Sequence, residues 1–136
     1  MYEYFEHTAD MGLRVRAATL DELFADAARG MFALMIDAPA DPREAERITV
    51  RLAADRIDDL LHDWLAELLF TFATRRLVLG RFDVHVSGTT LEAEAFGEAF
   101  DPARHTPGTE LKAVTYHALS VQREGDEYVA EVIVDT

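Results

Sequence analysis

Residues 60–72 read LLHDWLAELLFTF, and their apolar side chains recur at the spacing of a buried helix face. The pattern continues on both sides and predicts a helix from about Asp55 to Arg76. Acidic residues begin this helix and two arginines end it, as the helix dipole favours. Its apolar stripe consists of Ile57, Leu60, Leu61, Trp64, Leu65, Leu68 and Phe72. We expect this stripe to pack against a second layer of structure.

An earlier stretch predicts a second helix, from Thr19 to about Ile36. Thr19 and Glu22 have the spacing of a capping box, with Thr19 as the N-cap and Glu22 reaching back to it. Gly30 lies inside this helix, where glycine costs about 1 kcal/mol relative to alanine. Gly30 is therefore either a point of close packing against another backbone or a tolerated defect.

The rest of the chain has the alternation of apolar and polar residues that is typical of β-strands. Turns or loops are expected at 8–12, 37–44 and 101–108, and a hairpin turn at 123–126. We predict one α+β domain over residues 1–136, with two helices packed in two layers on a mixed or antiparallel sheet. The predicted strands cover residues 2–7, 12–18, 46–52, 82–86, 91–96, 110–121 and 127–134.

Composition narrows the class of protein. The 136 residues include no cysteine, so thiolate metal sites and disulfides are excluded. No stretch approaches the roughly 18 apolar residues of a membrane span, and the first ten residues are acidic where a signal peptide is basic. We expect a cytoplasmic protein without a membrane association.

The net charge of the chain is −13, which predicts that it repels nucleic acid and hence acts through a protein partner. Alternatively, the acidity serves only solubility.

Oxygen ligands for a metal are the main candidate site. Asp10 lies in the predicted first turn, and Asp135 and the terminal carboxylate of Thr136 follow the last strand. If the terminal strands are neighbours, these three groups converge, and hard cations such as Ca²⁺, Mg²⁺ or Mn²⁺ prefer such ligands. Alternatively, the two aspartates only cap the chain or face solvent. No catalytic motif is present, and no two histidines have metal-ligand spacing, so no catalytic residue is predicted.

Three other segments carry more polar chemistry than a core requires: residues 7–10, 61–68 and 97–117. Twelve of the 13 basic residues are arginines, and Lys112 is the single lysine. Lys112 is expected to lie on the polar face of its strand with Glu110. A structural interpretation of Lys112 is a cross-strand ion pair, worth less than about 1 kcal/mol.

Together these segments resemble the archease family. The resemblance lies in the motifs HTAD at 7–10, KAVTYH at 112–117 and an Asp before the last residue, within matching stretches over most of the chain. It implies an activator of an RtcB-type RNA ligase in tRNA splicing or RNA repair, which promotes GTP-dependent guanylylation and multiple turnover. It also implies a divalent metal, Ca²⁺ or Mn²⁺, on Asp10, Asp135 and Thr136, and a partner-facing role for Lys112 and His7.

The resemblance has one departure, because similar proteins usually end in Ile or Leu. If the last residue binds metal through its main chain, Thr136 is harmless; if its side chain packs on the ligase, binding weakens. Two other functions stay open. One is a general protein-binding or chaperone-like modulator, and the other is a metal-dependent hydrolase, which would need a general base and a pocket.

Overall fold

A computed structural model describes residues 1–7, 10–38 and 42–136, without the side chains of His7 and Ala38. Two helices, α1 (Leu20–Met35) and α2 (Ile57–Arg75), account for the two helical patterns of the sequence. The strands of the described residues are β1 (Tyr2–His7), β2 (Asp10–Ala17), β3 (Ile36–Ala38), β4 (Glu46–Ala53), β5 (Leu77–Ser87), β6 (Thr90–Ala99), β7 (Thr106–Pro107), β8 (Ala113–Val114), β9 (Ser120–Glu124) and β10 (Glu127–Asp135).

The largest sheet is organised around β10. Its order is β1-β2-β10-β8, and β9 also pairs with β10. Every pairing is antiparallel, and Val132 of β10 faces Leu13 of β2. Both of these side chains are buried, as are Val15 and Ala17 of β2 and Ala130 and Val134 of β10, which alternate with them. One face of this sheet therefore contributes to the core.

Strands β4, β6 and β5 form a second, three-stranded antiparallel sheet, and β3 pairs with β7 in a small third one. Helix α1 contacts β2 of the largest sheet and β5 of the three-stranded sheet, and α2 contacts strands of both. The helices also bind each other, since the buried Trp64 Nε1 donates to the carbonyl of Phe24 at 3.0 Å. The α+β prediction is thus confirmed, with the strands divided among several antiparallel sheets. Neither helix in the described ranges has the length and apolar character needed to cross a membrane.

Local signals explain where the helices begin and end. The Thr19 hydroxyl accepts a hydrogen bond from the Glu22 N–H at 3.1 Å, which confirms the predicted N-cap. Helix α2 ends at Arg76, which has the left-handed conformation, with φ 53° and ψ 42°. The N–H of Arg76 donates to the carbonyl of Phe72. This is the geometry that commonly ends a helix, although glycine usually occupies that position.

Several predictions of local structure are wrong. The predicted loops at 37–44 and 101–108 contain paired strands, because β3 (Ile36–Ala38) pairs with β7 (Thr106–Pro107). Residues 110–121 do not form one strand: only Ala113–Val114 and the start of β9 are extended and paired, and an irregular segment separates them. Strand β2 already begins at Asp10, so residues 10–12 are not part of a turn. Residues 8 and 9 of that predicted turn, and 39–41 of the predicted loop at 37–44, lie outside the described residues. The hairpin turn at 123–126 is confirmed, with Gly125 at φ 61°.

Two glycines mark close contacts between elements. A Cβ atom on Gly30 would lie 2.8 Å from Leu13 Cδ1 and 2.9 Å from Tyr2 Cγ, so Gly30 allows side chains of the largest sheet to approach α1. The contact at Gly97 involves backbone instead. There, a Cβ atom would lie 1.9 Å from the carbonyl oxygen of Val78, on the adjacent strand β5.

We predict that Gly97→Ala destabilises the protein by at least about 2 kcal/mol, because the backbone of β5 cannot retreat without losing its pairing with β6. Urea unfolding followed by circular dichroism measures the change. Glu92→Ala, at an exposed position of the same strand, is the control and should change stability by less than about 0.5 kcal/mol. Equal stability of the two variants would contradict the close approach at Gly97.

Candidate functional site

The predicted metal ligands lie at one end of the largest sheet. Strand β10 pairs with β2 in a register that ends at Val134 opposite Met11. One further step in the same register sets Asp135 opposite Asp10. The neighbour of β10 is therefore β2, and the first strand of the chain pairs with β2 from the other side.

Strand alternation indicates which face the two carboxylates share. Glu131 of β10 faces Arg14 of β2, and their side chains form an ion pair of 3.0 Å on the face away from the helices. Asp135 and Asp10 are separated from these two residues by an even number of positions, so they belong to the same face. Directly opposite residues of an antiparallel pair have Cβ atoms about 4.5–5.5 Å apart, and like charges there repel. Asp10 is half-buried and Asp135 is exposed.

Other predicted residues border the same sheet end. The backbone of His7 pairs with Asp10 across the first hairpin, whereas the His7 side chain lies outside the described part of the structure. The N–H of Lys112 donates to the carbonyl of Asp135 at 2.8 Å. Thr136, which follows Asp135, is half-buried. The predicted residues therefore meet at one sheet end through their backbones.

The carboxylates of Asp10 and Asp135 provide only part of what a hard cation needs. Two opposed carboxylates supply anionic oxygen, the ligand type that Ca²⁺ and Mn²⁺ accept. Within residues 1–7, 10–38 and 42–136, however, no three His, Asp or Glu side chains are grouped so as to hold a metal. Among the described residues, a third protein ligand would have to come from the main chain, such as the predicted carboxylate of Thr136.

Lys112 does not make the ion pair that strand alternation suggested. Its side chain is exposed, and no carboxylate of the described residues lies within 4.0 Å of it. Lys112 also precedes β8 instead of lying within a strand. The ammonium group is consequently available to a partner.

His62 of α2 fixes the segment that carries Lys112, a role that sequence analysis missed. Its ring is 9% exposed, with Nε2 2.9 Å from the carbonyl of Val114 and Nδ1 3.0 Å from Asp63 Oδ1. Each ring nitrogen therefore faces an acceptor oxygen, one on α2 and one on β8. Tyr116 stacks on the ring, with centroids 3.7 Å apart. The position of His62 beside a buried helical stripe was the only sequence signal for this contact.

A second polar cluster fixes the loop before this segment. The buried Glu98 carboxylate accepts the Arg43 N–H at 2.7 Å and pairs with Arg104. Burial raises the pKa of Glu98, but the hydrogen bond from the Arg43 N–H and the nearby side chains of His105 and Arg104 outweigh burial, so the net pKa is lowered. His105 Nδ1 accepts the Asp101 N–H, which leaves its Nε2, 3.3 Å from Glu98, as the protonated nitrogen.

The comparisons with known proteins bear on the whole chain. A family model described as the Archease protein family matches residues 2–136. The chain belongs to the archease family. "Protein archease" of Methanopyrus kandleri is 38% identical over 98% of each chain, and that of Sulfurisphaera tokodaii is 34% identical over 98% of this chain and 97% of that protein.

Solved structures agree with the archease assignment. The solution structure of a Methanobacterium thermoautotrophicum protein is 34% identical and covers 99% of this chain and 98% of its own, with a TM-score of 0.82. The crystal structure of a Thermotoga maritima archease, described as a "possible chaperone", is 23% identical over 100% of this chain and 98% of its own, with a TM-score of 0.65. At 23% identity, the similarity to the Thermotoga maritima structure supports only the fold.

We predict that His62→Ala destabilises the protein by about 2 kcal/mol, because the buried carbonyl of Val114 loses its partner. The substitution should also loosen the backbone on either side of Val114. Hydrogen exchange should accelerate at the Lys112 and Thr115 amides, which bind β10 carbonyls. His85→Ala, which removes a mostly exposed ring, is the control and should leave exchange at both amides unchanged. Unaltered exchange in His62→Ala would show that His62 does not hold this segment.

Proposed function

We propose that this archease activates an RtcB-type RNA ligase by promoting its GTP-dependent guanylylation and thereby multiple turnover. The carrying observation is that β2 and β10 pair as far as Met11 and Val134, one residue short of Asp10 and Asp135, and that the N–H of Lys112 donates to the carbonyl of Asp135. Family membership over residues 2–136 supports the role that the sequence resemblance implies. The protein would have no turnover of its own.

The divalent cation, Ca²⁺ or Mn²⁺, would be held by Asp10, Asp135 and the terminal carboxylate of Thr136. The support is electrostatic: two carboxylates opposite each other on neighbouring strands repel, and a cation between them relieves that repulsion. When bound, the cation would supply a positive charge at the acidic sheet end, the end of the largest sheet that carries Asp10 and Asp135. Asp10 and Asp135 would orient it, and the exposed Lys112 and the nearby His7 would contact the ligase.

The partner in this proposal is a protein and not RNA. The net charge of −13 disfavours contact with a phosphate backbone, so the activator would not compete with the ligase for its substrate. A cytoplasmic location is part of the same proposal. A general chaperone-like modulator is the alternative, and it should tolerate charge reversal at Asp10. A metal-dependent hydrolase should instead consume GTP when assayed alone.

We predict that Asp10→Asn and Asp135→Asn each weaken Mn²⁺ or Ca²⁺ binding by about tenfold or more, since affinity depends on how many anionic oxygens converge. Calorimetric titration of protein ending at Thr136 measures the affinity. Glu127→Gln, at the opposite end of β10, is the matched control for removing one exposed carboxylate and should bind like wild type. Wild-type affinity in both aspartate variants would eliminate this metal site.

We predict that Lys112→Ala lowers ligase activation by at least about tenfold. In this proposal Lys112 pairs with an acidic or phosphate group of the ligase, and truncation of one member of such an interfacial charge pair costs several kcal/mol. The assay is RNA ligation under multiple turnover by purified ligase, with and without this protein. Lys112→Arg should restore activation only in part, because a planar guanidinium does not replace a compact ammonium. Arg51→Ala, an exposed cation of the three-stranded sheet, is the control.

The same experiment tests the function itself. Absence of any stimulation by the wild-type protein would refute the ligase proposal. Full stimulation by Lys112→Ala would refute only the role of the lysine. A large fall in the melting temperature of Lys112→Ala would make the residue structural, which its exposed position does not predict.

A further inference from the structure

A cleft of about 360 Å³ opens between the C-terminal half of α2 and the segment from Pro107 to Leu111. Its volume lies within the range of sites that accept a small ligand or a side chain. Apolar groups dominate its walls. They include Met35, Leu69, Phe72, Phe100 and Leu111.

Arg76 is the basic residue of this cleft, and two hydrogen bonds fix its backbone. Its N–H donates to the carbonyl of Phe72, and its own carbonyl accepts the Phe100 N–H at 2.7 Å. Its φ of 53° lies in the left-handed region, which disfavours every residue with a side chain and where glycine is the usual choice. The fold thus keeps an arginine where glycine would fit with less strain.

The guanidinium of Arg76 is positioned by aromatic rings. It lies 4.7 Å from the centroid of Phe72 and 5.1 Å from that of Phe100. No carboxylate of the described residues comes within 4.0 Å of the Arg76 guanidinium. Among the described residues that line the cleft, Glu110 is the only acidic one, and it is exposed. Nine of the other eleven arginines form ion pairs with carboxylates, namely 14, 16, 29, 47, 51, 56, 75, 81 and 104, whereas Arg43 and Arg123 form none with a carboxylate of the described residues.

The apolar surface continues outside the cleft. Phe70 is 62% exposed, and it precedes Ala73, which lines the cleft, by three residues on α2. Residues at this spacing are neighbours on the surface of a helix. A small molecule inside the cleft would leave Phe70 uncovered, whereas a peptide segment would extend over both.

We propose that this cleft docks a peptide segment of a protein partner, in which a large apolar side chain adjoins an Asp or Glu. The apolar side chain enters between Leu69, Phe100 and Leu111, and the carboxylate accepts hydrogen bonds from the Arg76 guanidinium. A carboxylate matches the fork of an arginine that has no anionic partner and whose orientation two rings already restrict. This inference is independent of the ligase proposal.

The test uses a matched pair of short peptides. They are N-acetyl-Leu-Phe-Glu-amide and its Gln counterpart, which differ by one negative charge. Each is titrated at millimolar concentration into the full chain labelled with ¹⁵N, and amide shifts are followed by NMR. We expect shifts at the amides of Arg76, Phe100 and Leu111, with the Glu peptide binding about threefold to tenfold more tightly.

Arg76→Gly separates binding from folding, because glycine suits the left-handed conformation and removes the guanidinium. It should retain the melting temperature and lose the preference for the Glu peptide. Arg75→Ala removes the adjacent arginine, which already pairs with Glu46, and should keep that preference.

Three results would overturn the proposal: no shifts in the cleft with the Glu peptide, equal affinity of wild type for both peptides, or an unchanged preference in Arg76→Gly. A fourth would be a sharp fall in the melting temperature of Arg76→Gly, since the arginine would then serve only to hold the two rings. Shifts of the same amides by oligouridylate, without shifts by the Glu peptide, would assign the cleft to RNA.

Discussion

Strand β10 is hydrogen-bonded along both edges, to β2 on one side and to β8 and β9 on the other, and the largest sheet depends on this pairing. Its core-facing residues Ala130, Val132 and Val134 are almost fully buried, which fixes the register, because a slip by one residue would turn this apolar row to solvent. The same register brings Asp135 opposite Asp10. Packing in the core and opposition of the two carboxylates are thus consequences of one alignment.

The segment between Thr109 and Ser120 depends on that alignment as well. It has little regular structure, yet its backbone groups need partners where they are buried. The carbonyls of Asp135 and Ile133 accept the N–H groups of Lys112 and Thr115, while His62 binds the carbonyl of Val114. The segment is therefore held between a strand and a helix, and the exposed side chain of Lys112 extends from a fixed backbone.

Sequence patterns predicted the elements that local chemistry determines. Both helices, the cap at Thr19 and the hairpin before β10 follow from helical spacing, a capping pair and a turn containing glycine. Residues 110–121 alternate like a strand, but contacts of Val114 with α2 and β10 override that pattern. Convergence of Asp10 and Asp135 was predicted on the condition that the terminal strands are neighbours, but β2, which begins at Asp10, lies between β1 and β10. The ring contacts of Arg76 join residues 72, 76 and 100, a combination that no linear spacing reveals.

The acidic sheet end and the cleft of Arg76 are linked by two adjacent residues, since Leu111 lines the cleft while the N–H of Lys112 binds Asp135. A substitution between residues 109 and 114 that shifts the backbone therefore disturbs both regions at once, and loss of function there would not identify the surface responsible. Lys112 and Arg76 avoid this ambiguity for different reasons. The lysine acts through an exposed side chain, and the arginine occupies a backbone conformation that glycine reproduces. Each residue can lose its charge without a change in the backbone. Substitution of Lys112 therefore tests the sheet end alone, and substitution of Arg76 tests the cleft alone.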